Sequence, residues 1–315
     1  MLKTGLVTDP AVRLHDTGIG HPEQPARQAA VIDRLEFTGL LDVLTHITPR
    51  IAGEDDVALV HTREYISLVK KEVEGHRDLL STGDTAISPH SLDAALRAVG
   101  CVLAAVDAVF AKVVSNAFCV VRPPGHHASA ATGMGFCIFN NVAIAARYAQ
   151  KRYGVGPVAI IDWDVHHGNG TQDIFYEDRG VLFSSTHQSP WYPGTGAESE
   201  TGAGPGAGTT INCPLSAGSG RDEILGAIEQ RILPVLREFR PEFVLISAGF
   251  DSRVNDPLGR FLLADDDFAE LTRVVMEVAD QHAGGRIVSV LEGGYSLSGL
   301  ASASAAHVSA LCQIK

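Results

Sequence analysis

Apolar residues along the chain fall into two alternating patterns. Short runs rich in Val, Ile and Phe occur at 117–121 (AFCVV), 158–162 (VAIID), 181–185 (VLFSS), 209–212, 243–247 (FVLIS) and 286–291 (RIVSVL). Around them, segments 25–35, 63–73, 92–112, 140–153, 221–238, 265–282 and 298–311 carry apolar residues at helical spacing. Near-continuous β-branched runs separated by helix-length segments predict parallel strands buried on both sides, with helices as the cover. The predicted fold class is α/β, a parallel sheet flanked by helices on both faces. No low-complexity linker divides the chain, so residues 1–315 are expected to form a single domain. Loop 189–208 (SPWYPGTGAESETGAGPGAG) is too long for a passive connector.

In such sheets ligands sit beyond the carboxyl ends of the strands. Five predicted strand ends here carry chemically able residues. RPPGHHA follows the first strand with His126 and His127, and DWDVHHGNGT follows the second with Asp162, Asp164, His166 and His167. The third ends in SSTH, with Ser185 and His187; SAGFDS supplies Asp251 and EGGY supplies Tyr295.

Asp162, Asp164 and His166 stand at alternate positions of chain leaving a strand, so their side chains can project to one side. Two carboxylates and an imidazole suit a borderline divalent metal such as Zn²⁺, and Fe²⁺ is also accepted by that donor set. The absence of thiolates argues against a structural zinc. A catalytic zinc wants three protein ligands, and Asp251 could be one of them. The adjacent histidines of PGHHA could serve as base and acid on a water, provided each ring is oriented by an acceptor. Asp162 is a candidate orienter for one ring and Asn169 for the other. Gly293 and Gly294 precede Tyr295 and let a loop swing its hydroxyl toward a developing oxyanion.

Composition adds limits. Five cysteines (Cys101, Cys119, Cys137, Cys213, Cys312) lack CxxC pairing, and several sit in apolar runs, which favours a reducing cytoplasm. Lys+Arg number 25 against 37 Asp+Glu, and a net charge of −12 argues against generic nucleic-acid binding. Residues 1–12 lack the apolar stretch of a signal peptide, and no uncharged apolar run would span a bilayer. A cytoplasmic location without membrane or direct nucleic-acid partners is expected. Loop 189–208 and the N-terminal segment could form a homo-oligomer interface.

His21-Pro22-Glu23 with Arg27, VHTREYI, RPPGHHA, GMGFCIFNN, DWDVHHGNGTQ, PGTG, SAGFDSRVNDPLG and EGGY form an ordered series along nearly the whole chain. This series resembles the histone deacetylase family, in wording nearest to its class II branch and to bacterial histone deacetylase-like amidohydrolases. The resemblance implies the arginase-deacetylase fold and a zinc-dependent amidohydrolase acting on an acylated lysine peptide or a small acetylated amine. It implies Asp164, His166 and Asp251 as zinc ligands, and His126 and His127 as the tandem pair, with His127 as main base and acid. Asp162 would orient His126, and Tyr295 would polarise the acyl carbonyl. A K⁺ site would use Asp162, Asp164, His166, Ser185 and Thr186, with a second near Phe175, Asp178 and Val181. Gly135, Phe136, Trp191 and Tyr192 would line an acyl tunnel with Leu258 at its mouth, and Gly293 and Gly294 would contact substrate.

Three positions vary within or from the family's wording. Class I members carry aspartate where Asn169 stands, so the partner of His127 is neutral here. Trp191 and Tyr192 replace the more usual phenylalanines. Three other readings are open to this series. An acetylpolyamine amidohydrolase would want an acid near Leu258, for which Asp256, Glu198 and Glu200 are candidates. A binding module without turnover would have lost Tyr295 or a ligand, and a binuclear manganese hydrolase would need a second carboxylate cluster.

Overall fold

The computed structural model describes residues 3–314. Eight strands make one sheet: β1 (Thr4–Val7), β2 (Thr45–His46), β3 (Asn116–Cys119), β4 (Val158–Asp162), β5 (Val181–Gln188), β6 (Thr210–Leu215), β7 (Phe243–Ala248) and β8 (Ile287–Leu291). Their order is β2-β1-β3-β8-β7-β4-β5-β6, and every pairing is parallel. The six strands expected from apolar runs are all present. The two further ones, β1 and β2, lie together at one edge, and a two-residue strand leaves no periodicity to detect.

Among the described residues ten α-helices cover the sheet: α1 (Ala26–Phe37), α2 (Glu54–Val57), α3 (Arg63–Glu74), α4 (Ser91–Phe110), α5 (Asn141–Tyr153), α6 (Asn169–Phe175), α7 (Arg221–Ala227), α8 (Leu233–Phe239), α9 (Asp265–His282) and α10 (Leu297–Leu311). The strands feed both layers by alternation. Ile161 and Ile246 join Leu35, Leu236, Phe268 and Leu300 on one face, while Ile160 and Leu245 join Val102, Val106 and Val142 on the other. A third apolar cluster under α3 brings Tyr65 and Val69 against Leu103 and Phe139. Caps mark several starts: Thr62, Asn140 and Ser296 each accept a backbone N–H of the first turn of α3, α5 and α10.

Segment 221–238, expected as one helix, is instead α7 and α8 joined through a π-helical turn at Ile228–Ile232. Pro234 in the first turn of α8 has no N–H to donate and its ring crowds the preceding turn, so the ladder widens there. The five cysteines are unpaired, four of them buried. Among the described residues no helix is long and apolar enough to cross a membrane.

A fully buried ion cluster fastens the segment ahead of α1 to the sheet. Glu23 accepts from Arg122 Nε at 2.8 Å, Arg122 Nη2 at 2.7 Å and Arg27 Nη1 at 3.1 Å, and all three side chains are inaccessible. Arg122 also reaches the carbonyls of Val12 and His15, while Arg27 reaches those of Gly294 and Glu292. Burial disfavours the Glu23 carboxylate, but the two guanidiniums outweigh it and hold the group at about 2. A depressed acid stabilises fully above its unfolded value of 4.5, and that contribution is lost as the pH falls toward 2. Glu23→Ala leaves two buried guanidiniums without a carboxylate, and should lower unfolding free energy by about 3–5 kcal/mol at neutral pH. Urea titration would show this as a lower midpoint at unchanged slope; an unmoved midpoint would mean the cluster is energetically idle.

Candidate active site

The strands β3, β8, β7, β4 and β5 are consecutive neighbours in the sheet. The five strands singled out in the sequence are therefore side by side, and the chain leaving β3, β8, β7 and β4 delivers its polar residues into one crevice, whereas Ser185 and His187 lie within β5, which runs on to Gln188. His126 and His127 follow β3, Tyr295 follows β8, Asp251 follows β7, and Asp164 and His166 follow β4.

Asp164, His166 and Asp251 are buried, and their ligand atoms lie within 4.8 Å of one another. His166 Nδ1 is 3.0 Å from Asp164 Oδ1 and 3.2 Å from Asp251 Oδ2. Asp251 Oδ2 is completely buried yet accepts no hydrogen bond. The remaining carboxylate oxygens are held by backbone: Gly293 N–H donates to Asp164 Oδ2 at 2.8 Å and Val165 N–H to Asp251 Oδ1 at 2.9 Å. Burial and the Asp164 charge push Asp251 up to about 7. An orphaned carboxylate oxygen facing an imidazole nitrogen and a second carboxylate fits a divalent metal with mixed N and O donors. Gly293 is required by closeness, because a Cβ there would stand 2.0 Å from Asp251 Oδ2. Asp162 stands outside this trio: its Oδ1 accepts Asp164 N–H at 3.0 Å and its Oδ2 faces His126.

The two histidines have different surroundings. His126 Nδ1 meets Asp162 Oδ2 at 2.9 Å, and its Nε2 lies 3.9 Å from Asp164 Oδ2. Burial disfavours its charge, but the two carboxylates outweigh burial and raise it to about 10. His127 Nδ1 meets the Asn169 carbonyl oxygen at 2.8 Å, which fixes that nitrogen as donor and leaves Nε2 as acceptor. Burial, with the nearby His126 and His166, holds His127 well below the usual imidazole range. The rings are 4.0 Å apart between centroids, and their surroundings push the two imidazoles in opposite directions. Such splitting is how one site obtains separate acid and base groups.

A cavity of about 260 Å³ opens onto this centre. Its walls include Gly135, Phe136, Trp191, Tyr192 and Leu258, with His127, His166 and Tyr295 at the inner end. Gly135 has φ +57, and a Cβ there would meet the His127 ring at 2.3 Å, so only glycine lets this wall close on the imidazole. Trp191 Nε1 donates to the Leu258 carbonyl at 2.8 Å, joining loop 189–208 to the rim. Gly293 and Gly294 do not line the cavity: the first packs on the acidic trio, and the carbonyl of the second accepts from Arg27 Nε at 2.7 Å. Tyr295 lies beneath the Arg27 guanidinium at 4.9 Å, and burial pushes its phenol well above the ordinary value.

The acids expected near the mouth face elsewhere. Asp256 is buried and accepts the N–H groups of Tyr295, Ser296 and Leu258, because it ties down the loops that carry them. Glu200 accepts from Gln172 and Gly196 within loop 189–208, and Glu198 pairs with Arg231. Asp84 lines the cavity instead, accepting Gly135 N–H at 2.7 Å and the Tyr192 hydroxyl at 3.1 Å. Its position in STGDTAIS carries no metal or catalytic spacing, so the sequence offered no signal for it. Glu292 was also missed, although it stands at a strand end within EGGY. Ser185 sits opposite Asp162 in the β4–β5 register and its hydroxyl meets His187 Nδ1 at 2.9 Å, while Thr186 pairs with Cys213. At the other cation position, Phe175 and Val181 are buried, and the Asp178 carboxylate is taken by Arg147 and by Gly180 N–H.

Comparison with known proteins bears on the family and the fold. The chain is 42% identical over 298 residues to the "Probable deacetylase" of Archaeoglobus fulgidus, covering 94% of this chain and 82% of that protein. It is 41% identical over 291 residues to the human "Polyamine deacetylase HDAC10", covering 89% of this chain but only 43% of the longer human protein. The crystal structure of the HDA15 HD domain superposes with a TM-score of 0.94 at 35% identity, covering 99% of this chain and 89% of that one. Residues 21–311 match the histone deacetylase domain, and this chain, with its eight-stranded parallel sheet in the arginase-deacetylase fold, belongs to the histone deacetylase family.

Proposed function

We propose that residues 1–315 act as one histone deacetylase-like catalytic domain that hydrolyses acyl amides of lysine side chains, using Zn²⁺ held by Asp164, His166 and Asp251. The observation carrying this reading is the buried, unpaired Asp251 oxygen beside His166 Nδ1, directly below a tunnel whose inner end holds His127 and Tyr295. Bound there, Zn²⁺ supplies Lewis-acid polarisation of the acyl carbonyl and a water of lowered pKa. The apolar walls accept the methylene stem of the substrate. His127 Nε2 takes a proton from the attacking water and returns one to the departing nitrogen, so a carboxylate and a free amine result. His126, kept cationic by Asp162, contributes positive charge beside the tetrahedral centre. The Tyr295 phenol, kept protonated by burial, donates to the developing oxyanion. A K⁺ ion on Asp162, Asp164, His166, Ser185 and Thr186, several through backbone carbonyls, would balance the remaining carboxylate charge.

A second reading, hydrolysis of small acetylated amines such as acetylpolyamines, is favoured by one observation. Asp84 is held at the cavity by two hydrogen bonds with its carboxylate exposed, where a second cation of the substrate could meet it. The deciding measurement is kcat/KM of zinc-loaded protein on an acetyl-lysine peptide and on acetylated putrescine. Preference for the peptide supports the first reading, and preference for the polyamine moves the assignment to the second. Tyr295→Phe should lower kcat roughly 100-fold or more on either substrate, the scale of one lost oxyanion donor; an unchanged rate removes the phenol from the chemistry. Chelation should abolish turnover and added Zn²⁺ restore it, while Asp251→Ala should purify with substoichiometric metal by elemental analysis. Asp84→Asn should raise KM for the acetylated diamine by about two- to fivefold, an exposed ion pair's worth, and leave a neutral acetylalkylamine unaffected. Equal effects on both amines would mean that Asp84 shapes the wall and does not read charge.

A further inference from the structure

We propose that Glu292 is a positioning residue that sets the spacing between the histidine loop and the tyrosine loop, an inference that rests on the hydrolase reading above. Glu292 is the first residue beyond β8 and is fully buried. Its Oε2 accepts two successive amides of the neighbouring loop, Gly125 N–H at 2.6 Å and His126 N–H at 3.1 Å. Its own backbone carbonyl accepts from Arg27 Nη2 at 2.5 Å, and Arg27 in turn holds the Gly294 carbonyl and covers the Tyr295 ring. One residue thus joins the loop after β3 to the loop after β8. Through it, the imidazoles and the phenol share a common anchor outside the acidic trio.

The chemistry of the anchor is specific. Two adjacent backbone N–H groups converge on one oxygen, so what the loop needs is an acceptor at that point, supplied from the length of a glutamyl side chain. The other oxygen, Oε1, is completely buried and has no partner. A buried carboxylate left half-unsatisfied carries a free-energy cost, and such costs concentrate where function demands a geometry. Glutamine has the same reach and an acceptor oxygen. Aspartate keeps the charge but ends one methylene short of the two amides. A misplacement of about 1 Å at a reacting group can cost on the order of 100-fold in rate, so a small retreat of the histidine loop is measurable.

The test compares Glu292→Gln, Glu292→Asp and Glu292→Ala as full-length zinc-loaded proteins, with metal content measured for each. Glutamine should keep kcat within about threefold, whereas aspartate and alanine should lose roughly ten- to hundredfold in kcat with KM little changed, the size seen for supporting residues behind a catalytic centre. Hydrogen exchange reports the geometry without reference to activity: the Gly125 and His126 amides should exchange faster in the aspartate and alanine variants and stay protected with glutamine. Aspartate matching wild type while glutamine fails would overturn the proposal, because charge and not reach would then be the requirement. Alanine with intact protection and intact kcat would overturn it outright. If alanine does not fold, the glutamine–aspartate contrast decides. A wild-type protein that hydrolyses no amide would sink the hydrolase reading, and the exchange data alone would then decide whether Glu292 holds the loop.

Discussion

Asp162, Asp164, Asp251 and Glu292 are all buried at the carboxyl edge of adjacent strands, and burying a carboxylate costs several kcal/mol per ion unless it is paired and hydrogen-bonded. Much of the local structure is compensation for that concentration of negative charge. Backbone amides answer part of it: Gly125, His126, Asp164, Val165, His166 and Gly293 all donate to these side chains. Imidazoles answer another part, with His126 between Asp162 and Asp164 and His166 between Asp164 and Asp251. Two oxygens still accept no hydrogen bond: Asp251 Oδ2, although it lies 3.2 Å from His166 Nδ1, and Glu292 Oε1. The first faces a cluster whose donors suit a cation; the second belongs to a side chain already engaged with a loop.

The same compensation separates the two histidines. Aspartate behind His126 keeps its proton on, and the neutral amide of Asn169 behind His127 cannot do so against burial and two neighbouring imidazoles. A carboxylate in place of Asn169 would oppose that depression. Geometry depends on a second set of buried charges. Glu23, Arg27 and Arg122 link the segment before α1 to the chain leaving β3 and β8, so the loops bearing imidazoles and phenol are clamped by ionic bonds out of reach of water. A site of loops would otherwise be mobile, and this one is held on three sides.

Much of this was legible in the sequence, for a physical reason. In a parallel sheet buried on both faces, strands are apolar runs, and the first polar residues after each run stand where ligands bind. Asp164, His166, Asp251, His127 and Tyr295 could be read that way before any topology was known. Strand order was not readable, yet it makes the five ends neighbours. Strand β1, four residues that include a glycine, and the two-residue edge strand β2 leave too short an apolar run to detect, and the π-helical turn before Pro234 escapes because spacing alone hides a local widening. Asp162 shows the limit of spacing arguments: alternate positions put it on the side of Asp164 and His166, but its oxygens are spent on Asp164 N–H and His126.

The acid at the tunnel mouth shows the same limit from the opposite direction. Nearness in sequence to Leu258 nominated Asp256, and nearness to the aromatic pair nominated Glu198 and Glu200. Each is used elsewhere, by backbone amides, by Gln172 and Gly196, or by Arg231. Asp84 comes from a loop 108 residues away from its partner Tyr192, and the phenol that reaches it is the variant aromatic where the family more usually has phenylalanine. A phenylalanine could not hold that carboxylate. The polarity of the mouth therefore depends on a pair, one member visible as a departure in the cavity wall and the other invisible until the fold closed.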